Sequence, residues 1–237
     1  MRITLCEDYA EMSTRAADLV AEELKKTPGL LLCTATGASP EGLYEQMGAS
    51  YRTAPGSFDQ LRIIKLDEWG GIPENDPVSC EHYLRSRLLQ PLNIPETRYL
   101  GFRSDPEDPE GECQAIRSSL DAEGPIDLCI LGLGQNGHLG LNEPASQLEP
   151  FCHVAKLSEH SLEHSMLASM EIKPRYGLTL GMQEILSSRR IVLLVTGAGK
   201  KGMVNRLMEQ KISTTLPASL LWTHVQVDCF LDRSAQL

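Results

Sequence analysis

The chain has 237 residues, 41% of them hydrophobic and 23% charged, with 22 basic against 32 acidic side chains and a formal charge of −10. That mixture excludes a disordered chain, and no apolar run reaches the roughly 18 residues a membrane-crossing helix needs. So acidic a surface repels phosphate backbones, so neither nucleic acid nor membrane is an expected partner; a phosphate-bearing ligand has to be held locally, against the global field.

From the start, Met1-Arg2-Ile3-Thr4-Leu5-Cys6 meets Glu7-Asp8 before a signal-peptide core can form. The seven cysteines are odd in number, widely spaced and without C-x-x-C, and Cys33, Cys129 and Cys229 sit in apolar runs. Reduced thiols and a cytoplasmic location are the expectation. Tyr9, Met12, Ala16, Leu19, Val20 and Leu24 recur at helical spacing. Leu30 to Thr34 follows Pro28-Gly29 and reads as a buried strand. A helix is expected over Pro40 to Met47, a strand over Leu61 to Leu66, then helices over Val78 to Leu89 and Glu110 to Leu120. The acidic stretch Ser104 to Gly111 between them reads as a surface loop rather than a linker. Strands over Ile126 to Leu131, Arg190 to Val195 and Val225 to Leu231, with a helix over Lys200 to Met208, complete the pattern. Strands alternating with helices predict an α/β fold: one domain over residues 1–237, a three-layer, mostly parallel, Rossmann-like sheet with helices on both faces. In such sheets ligands bind beyond the carboxyl ends of the strands.

The loops at those ends are therefore the candidates. Thr36-Gly37-Ala38-Ser39-Pro40 joins a strand to a helix start, where free N–H groups and the helix dipole suit a phosphate; an ordinary turn fits the segment equally well. Leu66-Asp67-Glu68-Trp69 sets two carboxylates at a strand end, where desolvation raises a carboxyl pKa toward proton transfer; a solvated acidic turn is the commoner fate of such a pair. Gly132, Gly134 and Gly137 spell a dinucleotide fingerprint, but Asn142 and Pro144 interrupt the helix it should open. The better reading is a glycine-rich loop bringing His138 to Glu143, an imidazole oriented by a carboxylate. Lys200, at a helix start after Gly197-Ala198-Gly199, opposes the dipole unless an anion lies near. His160-Ser161-Leu162-Glu163-His164 matches a zinc pattern, but an exposed polar helix face explains it as well; no metal site is expected. His153 and His224 read as isolated structural histidines.

In this order and spacing these segments closely resemble the glucosamine-6-phosphate deaminase (isomerase) superfamily, which includes 6-phosphogluconolactonases, over nearly the entire chain. Leu66–Trp69, Asn136–Pro144 and Pro217-Ala218-Ser219-Leu220-Leu221-Trp222 bring it nearest to the galactosamine-6-phosphate deaminase/isomerase branch. The resemblance implies that Asp67 moves a proton between C2 and C1 of an opened amino sugar. It implies that His138 opens the pyranose ring, with Glu143 orienting it and Asn136 standing where many deaminases have Asp. Thr36, Gly37, Ala38, Ser39 and Lys200 would hold the 6-phosphate. A second cation falls at His164 or, by the other alignment, at Leu167, with His164 preferred. Neither a metal nor another cofactor is implied; the partner is a small sugar phosphate, and the protein is a monomer or homo-oligomer. A lactonase of the same fold is the alternative, against which Glu143 speaks; a sugar-phosphate sensor would have no use for Asp67, His138 and Glu143 together.

Overall fold

The computed structural model describes residues 1–163, 165–168, 170 and 173–235. Seven strands form one parallel sheet in the order β1-β10-β9-β6-β2-β3-β5: β1 Arg2–Cys6, β2 Leu31–Thr34, β3 Arg62–Lys65, β5 Tyr99–Leu100, β6 Leu128–Gly132, β9 Arg190–Val195 and β10 Val227–Asp232. The α/β sheet flanked by helices is as expected. The alternation of side chains along each strand divides the core in two. Val192 and Leu194 of β9 pack with Leu32, Ile63 and Ile130 beneath helices α1 Tyr9–Lys26, α2 Ala38–Thr53 and α3 Cys80–Leu84. Ile191, Leu193 and Val195 face the other way, toward α4 Pro109–Glu123. The short α6 Met182–Leu186 and α7 Lys201–Met208 cover the rest of that face; α5 spans Glu159–Leu162.

Expected and observed elements differ mainly at their ends. Helix α2 starts two residues before Pro40, which is tolerated in a first turn, and runs six residues past Met47. Tyr51, in that extension, packs edge-on to Phe58. The helix expected over 78–89 is α3 followed by one wide turn over Arg85–Leu89.

A second sheet has no counterpart among the expected elements. β4 Asp67–Gly70, β7 His153–Ala155 and β8 Tyr176–Thr179 pair antiparallel in the order β4-β8-β7. β4 leaves the main sheet one residue after β3, so the segment read as a strand-end loop is itself a strand. Trp69, Ile72, Cys80, Leu141, Ala155 and Leu167 form a small core beside it. Strand order reverses at β2, which is flanked by β3 and β6, and this is where an open parallel sheet leaves a crevice. Among the described residues no helix is long and apolar enough to cross a membrane.

Candidate functional site

At the carboxyl ends of β2, β3, β6 and β9 lies a cavity of about 390 Å³. Its walls include the Thr36–Ser39 loop, Asp67, Trp69, Gln135, His138 and Lys200. The structure thus gathers three of the strand-end loops picked from sequence, with Lys200 from the fourth. Asn136 and Glu143 stand behind His138 rather than in the wall. His164 lies outside the described residues.

Asp67 and Glu68 separate because they are successive residues of a strand and point to opposite faces. Glu68 is fully buried and fully used. Its Oε1 accepts from the Trp69 and Cys80 amides, both at 2.8 Å, and its Oε2 accepts from the Glu81 amide and Lys65 Nζ, both at 2.8 Å. Lys65, also fully buried, donates further to Glu81 at 2.7 Å and to the Phe102 carbonyl at 2.7 Å. Burial pulls the Lys65 pKa down, but Glu68 and Glu81 outweigh it and hold it above the usual lysine value. Glu68 is therefore a bolt between β4 and α3. Asp67 has none of these contacts: its buried Oδ1 has no hydrogen-bond partner among the described residues. Burial, reinforced by Glu68 and opposed by Lys65, lifts its pKa to about 7. Such a carboxyl can take or give a proton near neutrality.

His138 leans on the backbone of Gly134. A Cβ there would fall 2.4 Å from the ring, so only glycine leaves room for this imidazole. Its Nδ1 lies 3.5 Å from Glu143 Oε2, at the outer limit of a hydrogen bond, and has no closer partner among the described residues. The same Oε2 accepts from Asn136 Nδ2 at 2.8 Å, while Asn136 Oδ1 accepts from the His138 amide at 3.1 Å. Ser158 at 3.0 Å and Ser161 both donate to Glu143 Oε1. Burial pushes the Glu143 pKa up, but His138, Ser161 and Asn136 outweigh it and bring it down to about 2. A fixed anion thus faces the imidazole.

The loop after β2 turns at Gly37, whose φ of 102° suits glycine alone, and opens α2 with no side-chain cap. The first amides of α2 are thus left to a ligand. Across the cavity wall, Thr196 donates to Asp232 at 2.6 Å and the Gly197 amide to Ser234 at 3.1 Å, tying the loop after β9 to the end of β10. Lys200 closes a single turn, Ala198–Lys200, just before α7. No carboxylate pairs with it among the described residues, and burial lowers its pKa to about 8. An ammonium and open amides in one cavity suit an anion.

Sequence reasoning missed three contributors. Glu163, read as part of an exposed helix face, borders the cavity. Ser158 and Ser161 reach Glu143 across a fold that no local pattern announces. The isolated histidines are structural: His153 Nδ1 contacts the Phe151 carbonyl at 2.8 Å, and His224 Nε2 the Ser188 carbonyl at 2.7 Å.

Comparison with known proteins decides the family. Residues 7–229 match the model of the glucosamine-6-phosphate isomerases/6-phosphogluconolactonase family. The chain belongs to that family. It is an enzyme of the amino-sugar-6-phosphate deaminase/isomerase type. A protein of Escherichia coli (strain K12) named as a deaminase, AgaI, is 38% identical over 95% of this chain and 90% of its own length. Glucosamine-6-phosphate deaminase 1 of Bacillus subtilis (strain 168) is 35% identical over 99% of this chain and 98% of its own. A solved monomeric glucosamine-6-phosphate deaminase superposes with a TM-score of 0.95 at 35% identity, covering 99% of this chain and 98% of that one. The 6-phosphogluconolactonase of Trypanosoma brucei shares the fold, with a TM-score of 0.78 at 22% identity over 99% and 97% of the two chains.

Proposed function

We propose that this enzyme isomerises and deaminates an amino-hexose 6-phosphate, galactosamine 6-phosphate to tagatose 6-phosphate and ammonia. The observation that carries the reading is Asp67, a carboxyl of pKa about 7 whose buried Oδ1 has no hydrogen-bond partner among the described residues, in one cavity with His138 and Lys200. Lys200 and the Thr36–Ser39 amides hold the phosphate. His138, kept in orientation by Glu143 and Asn136, moves the proton that opens the ring. The freed C1 aldehyde acidifies the C2 proton, and Asp67 removes it. As O1 takes up a proton and the amino group gives one up through solvent, the enolamine takes the C2 proton back at C1 from Asp67, which leaves an alcohol at C1 and an imine at C2. Water adds to that carbon, ammonia departs, and the ketose 6-phosphate remains.

The galacto substrate follows from the branch resemblance of Leu66–Trp69, Asn136–Pro144 and Pro217–Trp222. A second reading, glucosamine 6-phosphate, is favoured by the 35% identity to proteins named for that substrate. Ammonia release from each epimer separately tests both. A kcat/KM well above the gluco value is expected for the galacto epimer. Release from the gluco epimer alone would keep the chemistry and overturn the epimer. Release from neither would overturn the deaminase reading and point to a phosphorylated sugar lactone.

A further inference from the structure

We infer that Tyr9, Tyr44 and Tyr83 are positioning residues that turn the amides of the 35–39 loop toward the bound phosphate, and so set the affinity for the 6-phosphate. The inference rests on the assignment of that loop as a phosphate site.

Three carbonyls of the loop are each held by a tyrosine hydroxyl from a different helix. Tyr44 of α2 donates to the Ala35 carbonyl at 2.7 Å, Tyr83 of α3 to Gly37 at 2.7 Å, and Tyr9 of α1 to Ala38 at 2.7 Å. No peptide bond here is cis. In a planar trans peptide the N–H of the next residue points opposite to the carbonyl. Fixing these carbonyls therefore directs the N–H groups of Thr36, Ala38 and Ser39 away from the tyrosines. None of those amides meets an acceptor among the described residues. The loop residues line the cavity, and the tyrosines do not.

The hydroxyls act as donors with little freedom. Burial raises the pKa of all three, so they stay protonated. Tyr9 accepts from the Gly42 amide at 2.7 Å, which leaves its proton for Ala38. Without the Tyr83 hydroxyl, the Gly37–Ala38 peptide would lose the hydrogen bond that holds it against a flip, and glycine has no side chain to resist one. A flip replaces an N–H aimed at the phosphate with a carbonyl oxygen, which repels it. Tyr83 adds a second linkage. The first two amides of its helix donate to Glu68, the neighbour of Asp67, so one short helix is tied both to the phosphate loop and to the strand that carries the proton-transfer carboxyl.

The test compares wild type with Tyr83→Phe and Tyr9→Phe, which keep the rings and remove only the hydroxyls. Calorimetric titration with inorganic phosphate, steady-state kinetics on the amino-hexose 6-phosphate and thermal unfolding are measured on each. Losing one net hydrogen bond from the arrangement predicts about fivefold weaker phosphate binding and an equal rise in KM, with kcat held within about twofold. A lowered Tm with unchanged phosphate affinity in both variants would overturn the inference and leave the tyrosines as packing alone. Tyr44 is fully buried, so Tyr44→Phe serves only as a third case. Lys200→Ala separates the two claims. If wild type binds no phosphate and Lys200→Ala leaves KM unchanged, the phosphate site itself is wrong.

Discussion

In the proposed reaction Asp67 is the side chain that moves the proton, and its setting makes two claims about pH. Its ordinary pKa is 3.8, and in the folded protein burial raises it to about 7. As the base it must be ionised, so kcat/KM rises through about pH 7. Lys200 must be charged to hold phosphate, and its pKa of about 8 in the free enzyme puts the falling limb there. The profile of kcat/KM is therefore a narrow bell between those values. In kcat the basic limb moves up, because a bound phosphate favours the ammonium. A flat profile from pH 6 to 9 would contradict both assignments. The second claim concerns stability. The folded state holds the Asp67 proton more tightly than the unfolded chain does. This group therefore favours folding below pH 3.8, and that contribution is lost as pH rises through about 7. Asp67→Asn cannot ionise, so it should exceed wild type in urea stability at pH 8 by about 2 kcal/mol and lose that margin toward pH 4. A variant less stable than wild type at pH 8 would show that the Asp67 carboxylate is well solvated.

Among the elements, β4 and α3 depend on each other through Glu68. Glu68→Ala removes two acceptors from the start of α3 and one of two carboxylates from buried Lys65. A loss of about 3–5 kcal/mol in chemical denaturation is expected, as for a broken buried ion pair. A loss below about 1 kcal/mol would mean that Glu81 and water replace it. This part of the fold was not legible in the sequence. β2, β6 and β9 were, because a parallel strand buried on both faces is a nearly continuous apolar run, as in Leu31-Leu32-Cys33 and Ile191 to Val195. β4, β7 and β8 hold three or four residues each, and their partners lie far along the chain. Asp-Glu-Trp-Gly carries no alternation that marks a strand. Hence the pair Asp67-Glu68 was readable as important, but not as one reactive and one structural carboxylate. His138 and Glu143 were legible as a pair because they stand five positions apart in one loop, with four residues between them. Ser158 and Ser161 were not, because only tertiary packing brings them to Glu143.

For the whole molecule, the seven-stranded parallel sheet assembles the site. Parallel strands send their carboxyl ends to one edge, and the order reverses at β2, so loops from β2, β3, β6 and β9 converge there. Phe230 and Leu231 at one flank and Ile63 and Ile64 toward the other pack against opposite helical layers, which keeps that edge rigid. The chain carries a formal charge of −10, yet the cavity offers Lys200 and open amides to an anion. In the proposed reading, phosphate affinity is thus a local property, imposed by strand-end geometry against the overall charge. The central claim is that this cavity moves a proton on an amino-hexose 6-phosphate through Asp67. Its most direct test is ammonia release by wild type and Asp67→Asn at saturating substrate, pH 7.5. The account predicts turnover by wild type and a fall in kcat of at least about a hundredfold in the variant, with KM little changed. Full turnover by Asp67→Asn would contradict it.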